Sequence, residues 1–61
     1  MPEAFITDKT PDEVTIDFGG ENDDGIMIDG NVVVRKGESF FNWEFDELQR
    51  IEDTIIIYVE E

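Results

Sequence analysis

From Glu13 to Phe18 apolar and polar residues alternate without a break. Val14, Ile16 and Phe18 fall on one face of an extended chain, and Glu13, Thr15 and Asp17 fall on the other. A period of two marks a half-buried antiparallel strand, here with an acidic wet face. Further on, Ile26-Met27-Ile28 and Val32-Val33-Val34 flank Asp29-Gly30-Asn31. Two β-rich runs around a short Asp-Gly-containing link predict a hairpin at that link. Between these patterns, Gly19-Gly20-Glu21-Asn22-Asp23-Asp24-Gly25 reads as an acidic loop. Upstream, Ala4-Phe5-Ile6-Thr7 reads as a short first strand or an arm. Asp8-Lys9-Thr10-Pro11-Asp12 reads as a turn, because Pro11 fixes its φ and has no N–H to donate.

Ser39 to Asp53 supports two readings. In one, Asn42 or Asp46 caps a helix that runs to about Glu52, which sets Phe45, Leu48 and Ile51 on one stripe. In the other, a strand continues through Phe41, Trp43 and Phe45, and a short helix follows from Asp46 to Ile51. Both predict helical turns within 44–52. Thr54 to Val59 predicts a last strand, apolar on both faces and so central in its sheet. The expected core is Val14, Ile16, Phe18, Ile26, Ile28, Val33, Leu48, Ile55 and Ile57. Together these segments predict an α+β fold over residues 1–61: one domain, a small antiparallel sheet of about four strands and one short helix.

Composition changes what this fold is expected to do. The 61 residues include 17 Asp and Glu against 4 Lys and Arg, a net charge of -13. High charge is a mark of disordered chains. Here it coexists with ordered β-branched and aromatic runs such as Ile55-Ile56-Ile57-Tyr58-Val59, which point to a folded domain. The charge is wrong for direct nucleic-acid binding, which needs bases to neutralise phosphates. No apolar run has the length of a membrane span, and the start lacks the basic-then-apolar layout of a signal peptide. The expectation is a cytoplasmic protein without membrane contact.

Cys and His are both absent. That removes disulfides, thiolate and imidazole metal sites, and the usual nucleophile–base pairs. Carboxylate-pair chemistry needs a cleft with apolar walls, which so small a core does not readily build. No catalytic residue, metal site or cofactor is expected. Glu21, Asp23, Asp24 and Asp29 cluster around glycines as calcium ligands do. An EF-hand, however, needs a carboxylate at loop position 1 when glycine sits at position 6. Gly25 at position 6 puts Gly20 at position 1, and Gly30 puts Gly25 there, so both alignments fail.

What remains is an acidic surface. Glu13 and Asp17 lie on a strand face, Asp23 and Asp24 in the loop, and Glu38, Glu44, Asp46 and Glu47 around the helical region. Carboxylates two apart on a strand stand roughly 6.6–6.8 Å apart, near the spacing of phosphates along a nucleic-acid strand. With Phe40 and Trp43 as aromatic anchors, and Tyr58 as a third, these residues form the expected partner-binding set. Glu52-Asp53 and Glu60-Glu61 bracket the aggregation-prone last strand and are explained as gatekeepers.

In size, acidity and lack of Cys and His the chain resembles small inhibitors from phages and other mobile elements. These include DNA-mimicking antirestriction proteins, anti-CRISPR proteins and uracil-DNA glycosylase inhibitors. Glu38-Ser39 followed by Phe40 is similar to the Glu-Ser-apolar stretch by which glycosylase inhibitors engage their enzyme. The resemblance implies a non-catalytic inhibitor that occludes the basic nucleic-acid site of a host defence or DNA-processing protein, in the host cytoplasm if phage-encoded. A homodimer stays open. The alternative is a stand-alone halophilic or structural domain whose acidity serves solubility only. The Ile- and Phe-rich apolar set and the even split of bases between Lys and Arg speak against it.

Overall fold

The alternating segment becomes an inner strand of a four-stranded antiparallel sheet. In the computed structural model, which describes residues 2–21 and 27–59, it is β2 (Glu13–Glu21). Its neighbours are β1 (Glu3–Lys9) and β3 (Met27–Arg35). Two-residue strands β4 (Ser39–Phe40) and β5 (Trp43–Glu44) pair as a second, small sheet. Helix α1 (Phe45–Arg50) follows at once. The last strand, β6 (Ile55–Ile57), returns to pair with β1, so the order is β3-β2-β1-β6. This is the α+β architecture that the residue pattern predicts.

The turn between β1 and β2 is narrower than the turn chemistry suggests, since Asp8 and Lys9 still belong to β1. Thr10 closes it: its hydroxyl oxygen accepts the Glu13 N–H at 3.1 Å, and its own N–H reaches the Glu13 carbonyl at 2.9 Å. A bulge interrupts β1 between Ile6, which faces Ile16, and Asp8, which faces Thr15. The extra residue shifts the phase, so Lys9 comes opposite Val14 on the covered face. From there its Nζ donates to the Ile51 carbonyl at 2.8 Å and the Gln49 carbonyl at 3.3 Å. Those carbonyls end α1, where a cation is electrostatically favoured. Gln49 returns the link by donating to the Thr10 carbonyl at 2.6 Å.

The core lies on one face of the sheet. Ala4, Ile6, Val14, Ile16, Val34 and Ile56 contribute from the strands and Tyr58 from just beyond β6, with Phe40, Phe45 and Leu48 above them. Phe45 and Leu48 fall three apart on the buried side of α1, with Ile51 packed beside them, as the stripe predicts. Tyr58 centres an aromatic cluster, with Phe40 at 4.9 Å and Phe18 at 6.5 Å between ring centroids.

Three sequence expectations are corrected. The hairpin expected at Asp29-Gly30-Asn31 is continuous strand: Asn31 pairs with Asp17, Gly30 with Phe18 and Asp29 with Gly19. Gly19 and Gly20 accordingly extend β2 instead of opening a loop. Gly30 serves close approach here, since a Cβ on it would lie 3.0 Å from the Phe18 ring. Second, β6 is an edge strand, not a central one. β1 has β2 on its other side, so the chain returning from α1 meets only the free edge of β1. Third, the core phase differs at Val33, Ile55 and Ile57, which are exposed, while Val34 and Ile56 are buried. Cross-strand partners share a face. Val34 sits opposite buried Val14, and Ile56 opposite buried Ala4. Ile26 and the Ile28 side chain lie outside the described residues.

The register of β6 can be checked by denaturant unfolding. Ile56→Ala empties a buried position and is expected to cost about 2–5 kcal/mol. Ile55→Thr and Ile57→Thr alter exposed positions and are expected to stay within about 0.5 kcal/mol of the parent. Equal losses at all three positions would contradict the one-sided core.

Candidate functional site

Among the described residues, two exposed ion pairs lie near the β1–β2 turn. Arg35 meets Glu13 at 3.1 Å and Lys36 meets Asp12 at 3.1 Å. Such exposed pairs add little stability. They do determine where positive charge is concentrated. The other two bases are engaged by backbone: Lys9 at the end of α1, and Arg50, whose Nε donates to the Asp46 carbonyl at 3.1 Å. Every base of the chain is thus held by an internal partner. Among the described residues, no carboxylate besides Asp12 and Glu13 has a cation within salt-bridge distance.

Glu38, Glu44 and Asp46 come together around a shallow concavity of about 460 Å³ between the β3–β4 turn and the start of α1. Gly37 opens that turn with φ at +83°, a left-handed conformation that suits glycine. Glu38 then folds back on it: its carboxylate accepts the Arg35 N–H at 2.8 Å, and its N–H reaches the Arg35 carbonyl at 2.9 Å. The Glu38 carbonyl accepts the Phe45 N–H at 3.1 Å, which joins the turn to the helix. Glu38 is therefore a turn-closing residue as well as an exposed carboxylate.

The helix cap is neither Asn42 nor Asp46. Glu44 occupies the N-cap, and the Glu47 carboxylate accepts its N–H at 3.1 Å. This is the reciprocal arm of a capping box. Asp46 and Glu47 also occupy the first turn, where negative charge meets the positive end of the helix dipole. Asn42 works elsewhere, accepting the Val59 N–H at 2.9 Å.

The anchor set changes. Phe40, expected to project toward a partner, is 4 % exposed and belongs to the core, as does Tyr58. Trp43 is half-buried against the core, and its indole N–H donates to the Ile57 carbonyl at 2.9 Å. The exposed aromatic of this segment is Phe41, stacked on Tyr58 at 4.8 Å and lining the concavity. The β4–β5 pairing explains the exchange. Phe40 sits across from Trp43 over the core, so Phe41 falls in the turn, with φ at +52°.

Glu13 and Asp17 lie on the opposite side of the molecule. They share the uncovered face of the sheet with Phe5, Val33, Ile55 and Ile57, each at least 36 % exposed. Phe5 stands between Asp17 and Ile55 in one cross-strand row. The structure thus divides the sequence-predicted acids into two surfaces rather than one. Asp23, Asp24 and the side chains of Glu21 and Asp29 lie outside the described residues. Among the described residues, no group of three or more acidic side chains is placed to hold a metal ion. Nor is any helix among them long and apolar enough to cross a membrane.

No protein-family model, curated protein or solved structure matches the chain.

Glu47 separates charge from capping. A glutamine can close the same capping box, so Glu47→Gln is expected to keep the parent stability. Glu47→Ala leaves the cap open and is expected to cost about 0.5–2 kcal/mol, measured by thermal or denaturant unfolding.

Proposed function

We propose that this chain is a non-catalytic, acidic protein-binding module. In this reading it is an inhibitor of the cytoplasm that occupies the basic nucleic-acid site of a defence or DNA-processing protein. The observation that supports it most is the internal engagement of all four bases. Only Asp12 and Glu13 among the described carboxylates are paired with a cation, so the excess of 17 acids over 4 bases presents a strong negative field. Such a field attracts a positively charged groove over long range and speeds encounter. The surface around Glu38, Glu44 and Asp46 adds the exposed Phe41 ring, on which a guanidinium can stack.

The test is competition. The protein is expected to displace labelled duplex from basic DNA-binding proteins without binding duplex itself. With Asp17, Glu38, Glu44, Asp46 and Glu47 converted together to amides, association is expected to slow by about tenfold or more and to lose most of its salt dependence. Unchanged rates at two salt concentrations would overturn the proposal.

Salt also separates this reading from acidity that serves solubility alone. The inhibitor is expected to keep its circular dichroism at ~0.1 M salt, where the Debye length is about 10 Å. Unfolding below roughly molar salt would favour a halophilic domain.

A further inference from the structure

The outer edge of β6 is open over part of its length. Ile6 N–H donates to the Thr54 carbonyl at 2.7 Å and Tyr58 N–H to the Pro2 carbonyl at 3.1 Å, with Ala4 opposite Ile56 between them. In an antiparallel ladder this register turns the backbone of 54, 56 and 58 toward β1 and that of Ile55 and Ile57 away from it. Trp43 takes the outward carbonyl of Ile57, and Asn42 takes the Val59 N–H. The Ile55 N–H, the Ile55 carbonyl and the Ile57 N–H face outward and have no partner among the described residues. Beside them the Ile55 and Ile57 side chains are 52 % and 50 % exposed and continue the apolar row to Phe5.

We propose that this edge accepts an extended segment of a cationic protein as a fifth strand of the sheet, a deepening that rests on the function proposed above. Backbone groups supply the pairing, and alternate apolar residues of the incoming strand pack against Ile55 and Ile57. Charge decides the occupant. Exposed Glu52 and Asp53 lead into the edge, and the sequence continues past Val59 as Glu60-Glu61. A second copy paired antiparallel would bring the acidic entry of one chain toward the acidic end of the other, with -13 on each molecule. Like charges set opposite one another destabilise such pairing. A strand that alternates apolar residues with Lys or Arg meets the same acids as attraction.

The test uses a short synthetic peptide of alternating Val and Lys, with amide hydrogen exchange read residue by residue by NMR. In the free protein the Ile56 amide is expected to be protected, and those of Ile55 and Ile57 to exchange quickly. With the peptide, Ile55 and Ile57 are expected to slow by about tenfold or more. A peptide of equal charge interrupted by prolines is expected to give no such protection, and neither is a Val and Glu peptide. Ile55→Pro removes an outward N–H without removing a bond to β1. Checked for folding by circular dichroism, it is expected to bind the Val and Lys peptide about tenfold more weakly. Binding of that peptide with unchanged exchange at Ile55 and Ile57 would overturn the proposal. So would failure to bind it while folded basic proteins still bind in a salt-dependent way, and the acidic-surface reading would then stand. If neither the peptide nor the basic proteins bind, both readings fall.

Discussion

One ammonium group determines where the covering layer of this fold ends. A helix of six residues is far too short to hold itself in water. Its exposed terminal carbonyls need donors, and Lys9 supplies them by reaching the carbonyls of Gln49 and Ile51. Lys9 can do this only because the bulge in β1 moves it onto the covered face. In an unbroken strand, Lys9 would share the uncovered face with Phe5. The bulge, the helix end and the return of the chain to β6 form one linked arrangement. Gln49 on the Thr10 carbonyl makes the link mutual, so the β1–β2 turn and the helix hold each other.

That covering layer is also all the cover among the described residues. A short helix and a two-stranded hairpin can roof one face of four strands, and they do so through Phe40, Phe45 and Leu48, with Tyr58 joining from just beyond β6. The other face keeps Phe5, Val33, Ile55 and Ile57 in water. A small domain of this kind buries only about 60% of the surface its unfolded chain exposes. An open apolar face normally invites self-association. Here each molecule carries -13, and repulsion between copies opposes that outcome. The acidity therefore has a structural consequence whatever the partner.

The legible parts of the fold were those where one face of a segment is plainly polar. Glu13 to Phe18 alternates, and its phase correctly marked Val14 and Ile16 as core. The stripe of Phe45, Leu48 and Ile51 was legible for the same reason. Runs of one character carry no phase. Val32-Val33-Val34 and Ile55-Ile56-Ile57 look alike from either side, and only pairing with β2 and β1 selects Val34 and Ile56. Asp29-Gly30-Asn31 misled because local turn chemistry was outweighed by a long-range fit, the Phe18 ring lying over Gly30. Of the site, the acids were legible from composition. The internal engagement of all four bases was not, since each contact depends on tertiary placement. Phe41 was missed in favour of Phe40, because only the β4–β5 register tells which of two adjacent aromatics turns outward.

In the proposed encounter, the uncovered edge and the acidic surface would act at different stages. Long-range charge chiefly sets how fast a cationic partner arrives, and it is weakened by salt. Backbone pairing and apolar contact act only at short range and chiefly set how long the partner stays. Either alone would be unselective. A bare edge pairs with any extended chain, including its own copy, and a bare acidic surface attracts any basic protein. Glu52 and Asp53 sit where the two coincide, at the entry to β6. On the proposed reading, the same carboxylates that discourage aggregation of the Ile55–Ile57 strand would bias its free edge toward basic sequences. Protection and the proposed recognition draw on the same residues, so a substitution made to study one would alter the other.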